Sequence, residues 1–252
     1  MDRTSIVMKS IYDLILQRKA QGKKSLAVLI DPDKIEKLAE LLAMAKLTPP
    51  HFFFIGGSLL AKDIIGNCID LIRNATNVPI VIFPGNEMQV NSNADALLLL
   101  SVISGRNADL LIGKQVAAAG LVQASGLEII STGYILIESG QATAVSYISN
   151  TQPIPRTNSM IAAMTALAGE QLGLKVIYLE AGSGAQLTVP IAVIEAVQNT
   201  ITIPIFVGGG IKTTEEVIER CNAGADVIVV GNILEHHPNM LQEFSMTINA
   251  IN

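Results

Sequence analysis

Five glycine-rich or acidic turns hold the residues whose types and spacing could do chemistry. In "IFVGGGIKTTEEV" (205–217), Gly208, Gly209 and Gly210 separate a β-branched run from a helix start, with Thr213 or Thr214 as N-cap and Glu215 and Glu216 in the first turn. Bare backbone there can come close to a ligand, and its N–H groups suit an anion such as phosphate. Taken alone, the same glycines also suit a plain tight turn. "YLEAGSG" (178–184) supplies Tyr178, Leu179, Glu180, Ala181, Gly182, Ser183 and Gly184, and "VVGN" supplies Gly231 and Asn232. "LIDPDK" (29–34) supplies Asp31, Asp33 and Lys34, and "FIGGS" (54–58) ends in Ser58.

Glu180 could accept a proton from a ligand hydroxyl beside a bound phosphate; the plainer reading is a solvated loop carboxylate. Asp31 and Ser58 form a partial oxygen shell of the kind Mg²⁺ accepts, since Mg²⁺ keeps waters and takes substrate oxygens. Asp31 or Asp33 could instead cap a following helix. His236 and His237 are adjacent and read as surface residues. His51 falls at the far end of its strand from these turns, and no cysteine, serine or histidine group resembles a nucleophile with its base.

These turns need a scaffold that brings them together. Short apolar or β-branched runs at Leu26–Ile30, Phe52–Ile55, Ile80–Phe83, Ala96–Ser101, Glu128–Glu138, Val176–Glu180, Ile203–Val207 and Asp226–Val230 read as strands. Helical patterns lie between most of them, at Ile35–Lys46, Leu59–Asn74, Ala108–Ala124, Ser159–Gly173, Val189–Asn199, Glu215–Ala223 and Asn239–Ile251. An amphipathic N-terminal helix with Val7, Ile11, Leu14 and Ile15 on one face precedes them. Strand–helix alternation implies parallel pairing, so the fold class is α/β: a single (β/α)8 TIM barrel over residues 1–252. A doubly wound sheet would carry its glycine fingerprint after the first strand, where "LIDPDK" stands instead. One gap breaks the alternation. "PGNEMQVNSNAD", between the third and fourth strands, has little helical periodicity, so an irregular segment replaces the third helix and opens one flank.

In such a barrel the strand ends carry the active site, and glycine turns after strands seven and eight are the usual phosphate site. Bulk properties agree with a small-molecule enzyme. The chain has 252 residues, 50% of them hydrophobic, and a formal net charge of −5. No basic stripe with interleaved aromatics points to nucleic acid. Apolar runs such as Ala96–Ile103 are too short to span a membrane. Cys68 and Cys221 read as buried free thiols of a reducing compartment, and the expected location is cytoplasmic.

Six blocks, "LIDPDK", "FIGGS", "SVISGRNADLLIG", "YLEAGSG", "FVGGGI" and "ADVIVVGN", occur in an order and spacing that resembles the geranylgeranylglyceryl phosphate synthase family, whose bacterial relatives include heptaprenylglyceryl phosphate synthase. The resemblance covers nearly the whole chain. It implies a prenyltransferase that joins the hydroxyl of sn-glycerol 1-phosphate to a polyprenyl diphosphate through an ether bond, releasing pyrophosphate with Mg²⁺. It implies Mg²⁺ contacts at Asp31 and Ser58, and glycerol phosphate contacts along Tyr178–Gly184, at Gly208 and Gly209, and at Gly231 and Asn232. Asp31 and Glu180 would be catalytic, and the longer "YLEAGSG" looks like the family's second group, which forms dimers or hexamers and often makes geranylgeranyl products. Membrane contact would be at most transient, for release of a lipid product. One departure is Leu29, where many members carry a basic residue that helps to bind glycerol phosphate. The alternatives are a phosphosugar isomerase or aldolase on the same barrel, for which Lys175 is the one strand-borderline lysine, or a non-enzymatic phosphometabolite-binding protein.

Overall fold

The computed structural model describes residues 10–57 and 64–252. Eight parallel strands close into a barrel in sequence order: β1 (Ser25–Ile30), β2 (Phe52–Ile55), β3 (Ile80–Ile82), β4 (Ala96–Val102), β5 (Glu128–Leu136), β6 (Val176–Glu180), β7 (Ile205–Gly208) and β8 (Val227–Val230). Pairing of β1 with both β2 and β8 closes the ring. The helices are α1 (Ile11–Ala20), α2 (Leu38–Leu47), α3 (Ile65–Ala75), α4 (Lys114–Ser125), α5 (Ala144–Ser149), α6 (Ser159–Gln171), α7 (Ile191–Gln198), α8 (Thr214–Ala223), α9 (Asn232–His236) and α10 (Met240–Ile251).

Strand side chains alternate between two cores. Ala27, Phe54, Val81, Leu98, Tyr178 and Phe206 fill the barrel, whereas Val28, Ile55, Ile82, Leu97, Leu179 and Val207 pack against the helices. Both faces of each strand are therefore apolar, as a buried parallel sheet requires. The lower mouth is plugged by α1, whose Ile11 and Ile15 join the inner core. That helix is held by Glu128 at the foot of β5, which accepts hydrogen bonds from Ser10 Oγ (2.6 Å), Ile11 N (2.6 Å) and Tyr12 N (2.9 Å). A carboxylate there satisfies amides the helix start leaves open and complements its dipole. Val7 of the expected N-terminal helix lies outside the described residues.

The irregular segment is present as expected, with no helix over 84–95. Gln89, only 4% exposed, ties it to the barrel top: its Oε1 accepts from Gly85 N (2.9 Å) and its Nε2 donates to Gly57 O (3.1 Å). β4 is half-buried at Leu99, Leu100 and Ser101, with Leu100 on the inner side. A π-helical turn, Asp109–Gly113, leads into α4 beside this flank, and none of its residues is buried.

Several boundaries differ from expectation. The helix expected over Ile35–Lys46 starts only at Leu38, after one turn on "DPDK" and a second over 35–38, so neither Asp31 nor Asp33 caps it. Strand seven begins at Ile205, not Ile203, because Pro204 has no N–H to donate. The strand expected to reach Glu138 ends at Leu136, beyond which Ile137 makes an isolated bridge with Ile154. The short helices α5 and α9 were not expected from the sequence.

Candidate active site

Glu180 is the last residue of β6 and stays in the inward phase of Val176 and Tyr178. It is 5% exposed, and its Oε1 accepts a hydrogen bond from Gly182 N at 2.6 Å. The carboxylate is thus buried, which sets aside the plainer alternative of a solvated loop carboxylate. Burial pushes its pKa up to about 7, against the opposing effects of the Gly182 amide and the Tyr178 and Tyr134 hydroxyls. Burial, reinforced by the Glu180 charge, in turn raises the pKa of both tyrosines. Tyr178 OH is buried without a hydrogen-bond partner of good geometry. Its ring stacks on Phe83, with centroids 5.2 Å apart and planes 4° from parallel. Tyr134 lies 5.3 Å from it.

The glycines of β7 are shaped by these two side chains. A β-carbon on Gly208 would fall 2.5 Å from Tyr178 OH, and one on Gly209 would fall 2.4 Å from Glu180 Oε1. Gly209 and Gly210 also have φ of +88° and +75°, a region that only glycine adopts cheaply. Thr213 and Glu216 form a capping box at the start of α8, as the sequence suggested, and Glu216 Oε2 also accepts from Lys212 N at 2.6 Å.

The three glycine turns meet at the upper mouth. Ser183 Oγ donates to Asn232 Oδ1 at 2.9 Å, joining the β6 turn to the first residue of α9. A β-carbon on Gly184 would lie 3.8 Å from Asn232 Nδ2. Gly182 and Gly184 have φ of +103° and +68°. Leu179 and Ala181, by contrast, point into the outer core, and the Ala181 amide is already bonded to Gly208 O at 3.1 Å. Neither side chain is brought to the mouth.

Asp31 follows β1 in the inward phase of Ala27 and Leu29. Its Oδ1 accepts from Asp33 N at 3.1 Å, and its Oδ2 lies 3.3 Å from Lys34 Nζ. The same ammonium is 3.5 Å from Glu235 on α9. Burial works against the Lys34 charge, but Glu235 and Asp31 together raise its pKa above the ordinary value. Lys37 adds a second tie to α9, donating to His236 O at 2.8 Å. Ser58 lies outside the described residues. Leu29 takes up the space beside Gly231, its Cβ 3.4 Å from where a Gly231 β-carbon would sit.

The remaining sequence candidates are placed elsewhere. Lys175 is held at the lower end of β6, donating to Ile129 O at 2.8 Å and lying 5.2 Å from the Tyr12 ring centroid. That excludes it as a Schiff-base lysine at the mouth. His51 accepts from Leu26 N at 3.1 Å, and burial, with Arg18 nearby, lowers its pKa to about 4. His236 and His237 are exposed. Cys68 and Cys221 are buried free thiols, each pushed up to about 12 by burial first. Among the described residues no three His, Cys, Asp or Glu side chains group as a metal cluster. Tyr134 and Glu235 were missed from the sequence. Tyr134 could have been found by extending the inward phase of β5 from Ile130.

Comparison with known proteins points one way. A family described as "PcrB family" matches residues 19–248. A geranylgeranylglyceryl phosphate synthase of Chitinophaga pinensis is 47% identical over 242 residues, covering 95% of this chain and 96% of that one. Its counterpart in Spirosoma linguale is 48% identical over 236 residues, covering 93% and 95%. Among solved structures, (S)-3-O-geranylgeranylglyceryl phosphate synthase of Thermoplasma acidophilum, in complex with its substrate sn-glycerol-1-phosphate, superposes with a TM-score of 0.89 at 29% identity, covering 96% and 100%.

Proposed function

The chain belongs to the PcrB family, and we infer that it is a geranylgeranylglyceryl phosphate synthase, a transferase that prenylates sn-glycerol 1-phosphate. The observation that carries this reading is Glu180: a buried carboxylate with a pKa of about 7, set among three glycine turns at the mouth of the barrel.

Glycerol phosphate would bind with its phosphate against the backbone of Gly182–Gly184, Gly209 and Gly231–Asn232. The ordered turns fix the glycerol hydroxyl in place, mostly a proximity effect. Glu180, ionised in part at neutral pH, takes the hydroxyl proton. The hydroxyl oxygen forms its bond to C1 of the prenyl diphosphate, the C1–O bond to the diphosphate breaks, and pyrophosphate leaves with the electron pair. Tyr178 OH, buried beside Glu180, would donate to a glycerol oxygen when substrate is bound. Asp31 would hold Mg²⁺ together with Ser58, and Mg²⁺ when bound neutralises charge on the departing diphosphate. Asp31 fits that part, because its Oδ2 already faces a cation at 3.3 Å, and one carboxylate plus waters and substrate oxygens suffices for Mg²⁺.

The hydrocarbon would run from the partly buried Phe83, Leu100 and Leu110 over the open flank of β4. Burying about twenty carbons at ~0.8 kcal/mol each sets an upper limit of roughly 15 kcal/mol before ordering costs. A homo-oligomer is also proposed. Val116 and Leu121 of α4 and Met160, Ile161 and Met164 of α6 are exposed, and such apolar side chains suit a partner copy. Among the described residues no helix is long and apolar enough to cross a membrane. We place the enzyme in the cytoplasm, with transient membrane contact to deliver its product.

The deciding experiment incubates the protein with Mg²⁺, geranylgeranyl diphosphate and either sn-glycerol 1-phosphate or sn-glycerol 3-phosphate, reading products by mass spectrometry. An ether product from the 1-phosphate alone is expected. No product from either, with glycerol phosphate still bound, would sink the transferase.

A further inference from the structure

Asp31 has two carboxylate oxygens with different duties. Oδ1 accepts from the Asp33 amide, whereas Oδ2 is the oxygen that already faces a cation, Lys34 Nζ at 3.3 Å. The ammonium also lies 3.5 Å from Glu235, whose side chain is only 13% exposed, on the helix that follows β8. Lys34 itself is 46% exposed and held by a flexible stem. A lysine suits a temporary occupant: it is a compact point charge with no bidentate lock on either carboxylate.

We propose that Lys34 is a placeholder for the metal, its ammonium holding the cation position at Asp31 Oδ2 until Mg²⁺ displaces it onto Glu235. This rests on the reading of Asp31 as a Mg²⁺ ligand. A dication on Oδ2 and an ammonium on the same oxygen repel, so one must leave. Glu235 gives the departing charge a destination, so neither carboxylate is left bare in either state. Lys34 is then a positioning residue that sets metal affinity, and Glu235 sets how easily Lys34 moves.

Calorimetric titration of Mg²⁺ alone, and of Mg²⁺ with inorganic pyrophosphate present, tests this on the wild type and on Asp31→Asn, Lys34→Met and Glu235→Gln. Thermal melts confirm that each variant is folded. Loss of the competing charge in Lys34→Met is expected to tighten Mg²⁺ binding about threefold to fivefold, the scale of a half-exposed ion pair. Glu235→Gln leaves Lys34 undivided on Asp31 and is expected to weaken binding by about threefold. Unchanged or weaker Mg²⁺ binding in Lys34→Met overturns the proposal while leaving the metal site standing, provided Asp31→Asn abolishes binding. An unchanged Glu235→Gln removes Glu235 from it. If Asp31→Asn binds Mg²⁺ like the wild type, or the wild type binds none in either titration, the metal reading falls and the placeholder falls with it.

Discussion

Glu180 and Gly209 compete for one volume: the carboxylate Oε1 stands 2.4 Å from where a β-carbon on Gly209 would be built. The glycine therefore does more than free the backbone for a phosphate. It keeps open the space in which the proposed base sits.

Gly209→Ala is expected to push Glu180 off its bond to the Gly182 amide and to strain the backbone at φ +88°. Activity should fall by roughly 100-fold, and stability by about 1–3 kcal/mol. Steady-state rates and thermal melts check both. An alanine variant with full activity would remove the steric link.

Glu180→Gln should lower kcat by about 10²–10⁴-fold while the protein stays folded. The wild-type rate should lose its base as pH falls below about 7, the pKa to which burial raises Glu180. The variant's residual rate should lack that limb. Stability moves the other way, since the folded-state pKa is raised: Glu180 contributes fully below its unfolded value, and the contribution is lost as pH rises through about 7. Denaturation at pH 4 and pH 8 should show the wild type falling behind Glu180→Gln at the higher pH, by at most about 3 kcal/mol.

Tyr178→Phe and Tyr134→Phe each remove a hydroxyl that favours the ionised Glu180. The acid limb of the pH–rate profile should move upward in both. Because Tyr178 OH is buried and its interaction with Glu180 lacks good hydrogen-bond geometry, Tyr178→Phe should cost little or no stability. A large loss of stability would mean that the hydroxyl has a protein partner besides Glu180.

Glu128→Ala should unfasten α1 from the barrel floor, because three hydrogen bonds end on that carboxylate. A loss of about 2–4 kcal/mol is expected, with faster hydrogen exchange over Ile11–Ala20. Turnover by the folded fraction should change little, since the proposed site lies at the opposite mouth.

The strands were legible because both of their faces are buried, leaving unbroken apolar runs such as "FFFI" and "VIYLE" between turn residues. The missing third helix was legible for the opposite reason: "PGNEMQVNSNAD" offers no apolar face to pack. The short helix α9 was not, because its five residues are held by lysines from a distant loop, a tertiary effect with no local pattern. Nor was the helix start at Leu38, since "DPDK" carries strong capping residues but spends Asp31 on the Asp33 amide. At the site, the start of "YLEAGSG" keeps strand alternation, which turns Leu179 and Ala181 away from the mouth. Strand phase would have separated them from Tyr178 and Glu180.

The segment over 84–95, stitched to the barrel top by Gln89, has a consequence for traffic. A closed ring of helices gives a barrel one doorway, through which everything arrives and leaves in water. Here the half-buried side of β4 would offer a second doorway of a different solvent character. On the proposed reading, pyrophosphate would depart upward into water while a lipid product left sideways, so the two products would not queue at the same exit.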